Sequence, residues 1–269
     1  MTSAPAFSLQ LPRVMGHRGA KALAPENTLA SIAAAAATGV KWVEFDVMLT
    51  ADGEPVLFHD ETLKRTTGAP GTMAASPFEL VRALDASLDF GRKYGRRVGA
   101  GFRGRADCRV PSLEEAVACL IEHSLTPNVE IKPTPGLAAE TAEVALDQLQ
   151  RLWPQDRLPP LISSFQRESL AAAKRVAPAW PRGFLAEGLP ADWRAAMAEL
   201  GCVSLHLNWR RVRQRDVAAA HAAGYAVAAY TVNGTRAARR LWGKGVDCLI
   251  TDRPDRLLGL ENAPEGAGR

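Results

Sequence analysis

Short apolar runs recur along this chain, near residues 14 and 42 and at 128–131, 161–164, 183–185, 203–207, 226–231 and 246–250. Their length and their Val, Ile and aromatic content read as strands. Between them lie segments with apolar residues at helical spacing, at 28–38, 112–123, 137–152, 167–176, 193–200, 213–223 and 235–242. Asn27 or Thr28 can cap the first of these, and Gly39 sits where a helix-ending residue belongs. Ser112 and Glu115 form a capping box at the start of another. Eight strand-then-helix units predict an α/β fold, a TIM (β/α)8 barrel. A doubly wound open sheet ranks second, because no glycine-rich dinucleotide fingerprint follows any strand.

One stretch breaks the alternation. Residues 41–60, KWVEFDVMLTADGEPVLFHD, read as a strand, an Asp52-Gly53 turn and a returning apolar run, 55–58. A two-residue turn of this composition is a hairpin signal. Centred on Asp52-Gly53, it would pair residue 46 with residue 59 and bring His59 beside Glu44 and Asp46. The return is then an antiparallel addition to the barrel, followed by a short insertion after strand 2, at 61–110. That insertion looks the least regular, with a helix at 77–84 and a glycine- and arginine-rich run, 91–109, expected to be a mobile surface loop near the site mouth. Its seven basic residues interleave with Tyr94 and Phe102. A nucleic-acid patch would share that composition, but the glycine content argues against a formed binding face. Residues 1–13 read as a leader, 14–260 as one catalytic barrel and 261–269 as a disordered tail.

Composition narrows the class. The 269 residues suit one barrel, and 47% hydrophobic content excludes wholesale disorder. Cys108, Cys119, Cys202 and Cys248 form no CxxC pair, which argues against a zinc site or a disulfide framework and fits a reducing compartment. Neither a secretory signal nor a spanning apolar run is visible, so a cytoplasmic protein without stable membrane association is expected. The net charge of +4 mildly favours anionic ligands.

A barrel gathers its chemistry at the C-terminal ends of its strands. Those ends hold His17-Arg18, Glu44 and Asp46, Glu130 and Lys132, Ser164-Phe165, Glu187, His206-Asn208, Thr231-Asn233 and Thr251-Asp252. Glu44 and Asp46 lie two apart and so share one strand face, as do Glu130 and Lys132. Each could be a solvated or simply paired charge. Together, three carboxylates in one mouth repel unless a cation joins them, and an all-oxygen set suits Mg2+ or Ca2+. His17 and His59 fit acid–base work better than zinc ligation. Arg18 and Lys132 supply fixed positive charge for an anionic group, and the ensemble suggests phosphoryl transfer.

HRG at 17–19, PENT at 25–28, ExD at 44–46, HD at 59–60 and ExK at 130–132 resemble the glycerophosphodiester phosphodiesterase family. SSF at 163–165, LHLN at 205–208, YTVN at 230–233 and GVDCLITD at 245–252 extend the resemblance over nearly the whole chain. It is most like the compact cytoplasmic bacterial branch associated with glycerol-phosphate uptake. The resemblance implies a TIM barrel that hydrolyses glycerophosphodiesters, the deacylated phospholipids, to sn-glycerol 3-phosphate and an alcohol. It implies Glu44, Asp46 and Glu130 as ligands of Mg2+ or Ca2+, His17 and His59 as the acid–base pair, and Arg18 and Lys132 as phosphate-binding groups. It also makes Glu26 and Asn27 candidates for supporting roles, though Asn27 as a plain helix cap serves equally. Phe165 and Tyr230 could line the pocket for the alcohol, or only pack. The competing readings are a lysophospholipid phosphodiesterase on the same scaffold and a non-catalytic anion-binding barrel; the partner expected is a small-molecule substrate, not nucleic acid.

Overall fold

The computed structural model describes residues 10–260. Nine strands form one sheet: β1 Val14–Gly16, β2 Trp42–Leu49, β3 Pro55–Leu57, β4 Thr126–Ile131, β5 Leu161–Ser164, β6 Arg182–Ala186, β7 Ser204–Asn208, β8 Ala226–Tyr230 and β9 Cys248–Thr251. Eight of them pair in parallel in the order β1-β9-β8-β7-β6-β5-β4-β2, and a β1–β2 pairing closes the ring. Helices between successive strands surround it, which is the TIM barrel that the pattern predicts. β1 meets β2 only low on the ring, at Gly16↔Val43. The upper part of the same β2 edge is covered by antiparallel β3, through Val47↔Leu57, Met48↔Val56 and Leu49↔Pro55.

That register differs from the expected one by a residue. The connection has three residues: Gly53 N donates to Thr50 O, Thr50 N donates to Glu54 O, and Gly53 takes a left-handed φ of 81°. A type I turn followed by a left-handed glycine forms such loops, where Asp52-Gly53 alone suggested a two-residue turn. Phe58, whose N–H donates to Asp46 O, therefore faces Asp46, and His59 follows just beyond the strand. The helix starts match their cues. Thr28 rather than Asn27 caps Leu29–Thr38, its side chain accepting from Ser31 N, and both arms of the Ser112–Glu115 capping box are made.

Strand alternation sorts the side chains. Val43, Phe45, Val47, Val129, Ile131, Leu205 and Leu207 point outward into the main core, where they meet Ile32, Leu113, Val117 and Leu146 from the helices. Inside the ring, Met15, Trp42, Leu161, Ala228, Cys248 and Ile250 fill the lower part. Leu11 joins them, so the end of the expected leader is packed rather than loose; the rest of that leader, and the tail at 261–269, lie outside the described residues.

The insertion at 61–110 is also more ordered than its composition implies. It has its own core of Met48, Val56, Phe58, Leu63, Met73, Val81 and Val110 beside the barrel mouth. Its glycine- and arginine-rich run forms two short helices, Leu88–Tyr94 and Arg96–Ala100. They cross at Gly91 and Gly99, where a Cβ on Gly99 would stand 2.3 Å from the Gly91 Cα. Glycine serves close packing there, not mobility.

Its place late in a strand predicts that His206 faces the mouth, yet it is fully buried inside the ring. Ser204 Oγ lies 3.0 Å from its Nε2, and its Nδ1 has no partner. It fits because residue 183 is glycine: a Cβ there would come within 2.6 Å of His206 Nε2. Burial pushes its pKa down to about 4. The folded protein thus keeps His206 neutral while the unfolded chain protonates near 6.5. Its contribution to stability is present above pH 6.5 and is lost as pH falls toward 4, by on the order of 3 kcal/mol. Chemical denaturation of wild type and His206→Gln across that interval should show the wild type losing that much more stability on acidification.

Candidate active site

β2 and β4 lie side by side in parallel, with Asp46 paired to Glu130 and Glu44 to Asn128. Their inward side chains rise into the mouth, so Glu44, Asp46 and Glu130 converge. All three are buried, and one oxygen from each lies within 4.8 Å of the others. Three buried anions at that spacing cannot all stay ionised unaided. Burial, then Asp46, raises Glu130 to about 8 against the pull of Lys132. Burial, Asp46 and Glu130 likewise push Glu44 well up. Asp46 moves the other way: burial would raise it, but Arg18 foremost, then His59 and Lys132, hold it below the usual range.

Arg18 is the organiser of this group. It sits at a left-handed φ of 49°, its N–H donates to Glu44 Oε2 at 2.9 Å, and Gly19 N donates to Glu44 O. Its Nη1 donates to Glu26 at 2.6 Å, and its Nε lies 3.2 Å from Asp46 Oδ2 without hydrogen-bond alignment. Gly19 allows the turn: at φ 79°, a Cβ would stand 2.5 Å from Ser31 backbone carbon. Asn27, freed from capping, holds Asp46 twice. Its Nδ2 donates to Asp46 Oδ2 at 2.9 Å, and its Oδ1 accepts from Asp46 N. Glu26 accepts from Arg18 and Arg65 and lies 2.8 Å from Lys21 Nζ. Burial works against its charge, but these cations hold its carboxyl far below the usual range.

The two histidines are built alike. His17 Nδ1 lies 2.6 Å from Asp252 Oδ1, and His59 Nδ1 lies 2.6 Å from Asp60 Oδ1. Burial works against the charge on Asp252, but His17 and Asn233 hold it down at about 2. An ionised carboxylate only accepts, so Nδ1 of each ring carries the proton. Each aspartate is fixed in turn: Asn233 Nδ2 donates to Asp252 at 2.7 Å, and Arg65 grips Asp60 through Nε and Nη2. Arg65 also binds Glu26 and Asp89, joining the insertion to the mouth. His17 Nε2 points toward Glu44, 3.9 Å from Oε2. Burial first, then Arg18, lowers His17 below 6.5.

Lys132 Nζ stands 3.7 Å from Glu130, so the two do approach each other as a bland pairing would have it. Phe165 is 38% exposed and meets Tyr230 edge-on at 5.8 Å, and Tyr230 OH donates to Ala186 O. Asp252, Asn233, Asp60, Arg65 and Lys21 carry much of this geometry; Asp60, Asn233 and Asp252 fall within the strand ends or motifs named above without a specific role, and nothing in the sequence singles out Arg65 or Lys21. Asp60 is signalled by its place beside His59, and Asn233 and Asp252 by their strand-end positions, but their partners are not. Asp252 is 235 residues from His17, and nothing local announces that pairing.

Barrel and mouth together define an enzyme of the (β/α)8 class with a carboxylate-centred site. A model of the glycerophosphoryl diester phosphodiesterase family matches residues 17–256. A glycerophosphodiester phosphodiesterase of Caldanaerobacter subterraneus subsp. tengcongensis is 32% identical over 248 residues, covering 92% of this chain and 96% of the relative. One from Bacillus altitudinis is 28% identical over 257 residues, covering 93% and 98%. The solved structure of an Oleispira antarctica phosphodiesterase in complex with the product sn-glycerol-3-phosphate matches with a TM-score of 0.86 at 36% identity, covering 94% of this chain and 98% of that one. The chain belongs to the glycerophosphoryl diester phosphodiesterase family. It is an enzyme of glycerophosphodiester hydrolysis.

Asn27 offers a clean test of how the mouth is held. Asn27→Gly keeps the left-handed backbone, φ 54°, but removes both bonds to Asp46. It should lower unfolding free energy by about 1–3 kcal/mol in urea. Asn27→Ala should cost about 1–2 kcal/mol more, because a Cβ is strained at that φ.

Proposed function

We propose that this enzyme hydrolyses glycerophosphodiesters such as glycerophosphocholine and glycerophosphoethanolamine to sn-glycerol 3-phosphate and the alcohol, with a divalent cation held by Glu44, Asp46 and Glu130. The observation that carries the cation is the triad itself. Its oxygens lie within 4.8 Å of one another, and Glu44 Oε1 is buried with no hydrogen-bond partner. An all-carboxylate set of this kind fits a hard ion, Mg2+ or Ca2+. When bound, such an ion supplies positive charge against which a phosphate oxygen is neutralised. The product found with the Oleispira antarctica relative supports the same product here.

The chain's own groups account for the remaining steps. Arg18 uses Nη1 on Glu26 and Nε beside Asp46, and with Lys132 it would hold the phosphate in place. His17 and His59, each oriented through Nδ1 by an aspartate, would divide the proton transfers. One takes the proton of the attacking oxygen and the other gives one to the departing alcohol. Glu26 and Asn27 would keep Arg18 and Asp46 in register. Phe165 and Tyr230 would border the alcohol. We place the reaction in the cytoplasm; among the described residues no helix is long and apolar enough to cross a membrane.

The test is release of glycerol 3-phosphate from both diesters with Mg2+, with Ca2+ and with EDTA. Activity should appear with a cation and vanish with chelator; chelator-resistant turnover would contradict the proposal. His17→Ala and His59→Ala should each lower kcat by roughly 10²–10⁴-fold with the fold intact by circular dichroism. Near wild-type turnover in either variant would remove that histidine from the mechanism.

A further inference from the structure

A second feature opens on the same end of the barrel. The loops that follow β6 and β7 enclose a groove of about 650 Å3 between Gly188–Ala191 and the 210–216 segment. Arg210, Arg211, Arg213 and Arg215 line it, against one acid, Asp216. All four arginines are exposed, and their charges are weakly committed. Arg211 is 4.0 Å from Glu187, Arg215 is 3.8 Å from Asp216, and Arg210 stacks over Trp209. Arg213 makes no ion pair among the described residues.

Two helices also begin at this groove, Trp193–Leu200 and Gln214–Ala222. Neither receives a hydrogen bond from its capping side chain. Arg213 has no acceptor to give, and Asp192 is occupied by both terminal nitrogens of Arg167, at 2.7 and 2.9 Å. Trp193 N and Asp216 N are taken by the Pro190 and Arg213 carbonyls, and the helix-start dipoles add to the positive potential of the arginines. Guanidinium groups and helix starts converging on one concavity make a site for an oxyanion.

Tyr230 links the two loops that bound the groove to the mouth. That residue donates from its hydroxyl to Ala186 O, immediately before Glu187-Gly188, and its carbonyl accepts from Trp209 N, immediately before Arg210. One groove loop is thus anchored on the hydroxyl of Tyr230 and the other on its backbone, and with Phe165 this residue borders the expected alcohol side.

We infer that the arginine groove is a second anion subsite, and that it holds a phosphate carried by the alcohol portion of the substrate. It would favour diesters with two phosphates, such as bis(glycerophospho)glycerol, over those ending in a quaternary ammonium, such as glycerophosphocholine. The inference rests on the hydrolytic function proposed above. Its test compares kcat/KM for these two substrates in wild type and in Arg213→Gln/Arg215→Gln, at low and high salt.

Wild type should favour the doubly charged substrate by about tenfold or more at low salt, and salt should erode the preference. In the double variant KM for that substrate should rise until the preference is gone, with kcat and the glycerophosphocholine kinetics unchanged. Turnover of glycerophosphocholine without any preference in wild type, or a preference that survives in the variant, overturns the subsite and leaves the hydrolytic function standing. No turnover of either substrate overturns both.

Discussion

Three carboxylates forced together in a buried mouth are the constraint on which this structure turns. The β2–β4 register fixes them there, because Asp46 and Glu130 are direct partners and Glu44 lies two residues below on the same face. Their mutual repulsion is answered in two ways. Arg18 keeps Asp46 ionised, while Glu44 and Glu130 are pushed toward the neutral acid. The arrangement is unfavourable by itself and becomes favourable when a cation shares the oxygens. Electrostatic stress at this point is the feature on which the proposed cation site rests, and the surrounding fold supports it.

The support is distributed over distant parts of the chain. The first βα turn supplies Arg18, Glu26 and Asn27, the hairpin supplies His59 and Asp60, the insertion supplies Arg65, and the last strand end supplies Asp252. Arg65 ties Asp60 to Glu26, so the orientation of His59 is linked to the salt bridge that holds Arg18. His17 is braced separately, from the opposite end of the chain. The two histidines are therefore oriented by separate aspartates that share no partner.

Much of this was legible in the amino-acid order. Short apolar runs alternating with helical ones point to a barrel, because each strand buries one face against helices and the other inside the ring. The same-face spacing of Glu44 with Asp46 announced paired acids, and parallel pairing brought Glu130 to them. Less legible was anything set by a turn's detailed geometry or by contacts distant in sequence. Gly53 adopts a left-handed φ that lengthens the hairpin loop by one residue, and the dipeptide alone does not distinguish this from the shorter turn. Gly91 and Gly99 looked like flexibility because composition does not reveal that two helices cross there. His206, placed at the mouth by its position late in a strand, is buried beside Gly183, a fit visible only once neighbouring strands are in register.

The most direct test of the central claim is calorimetric titration of Ca2+ and Mg2+ into the metal-free protein and into Asp46→Asn and Glu44→Gln. The account predicts one saturable cation site per chain in the wild type and its loss in both variants. Absence of binding in the wild type, or binding that persists in both variants, would contradict it.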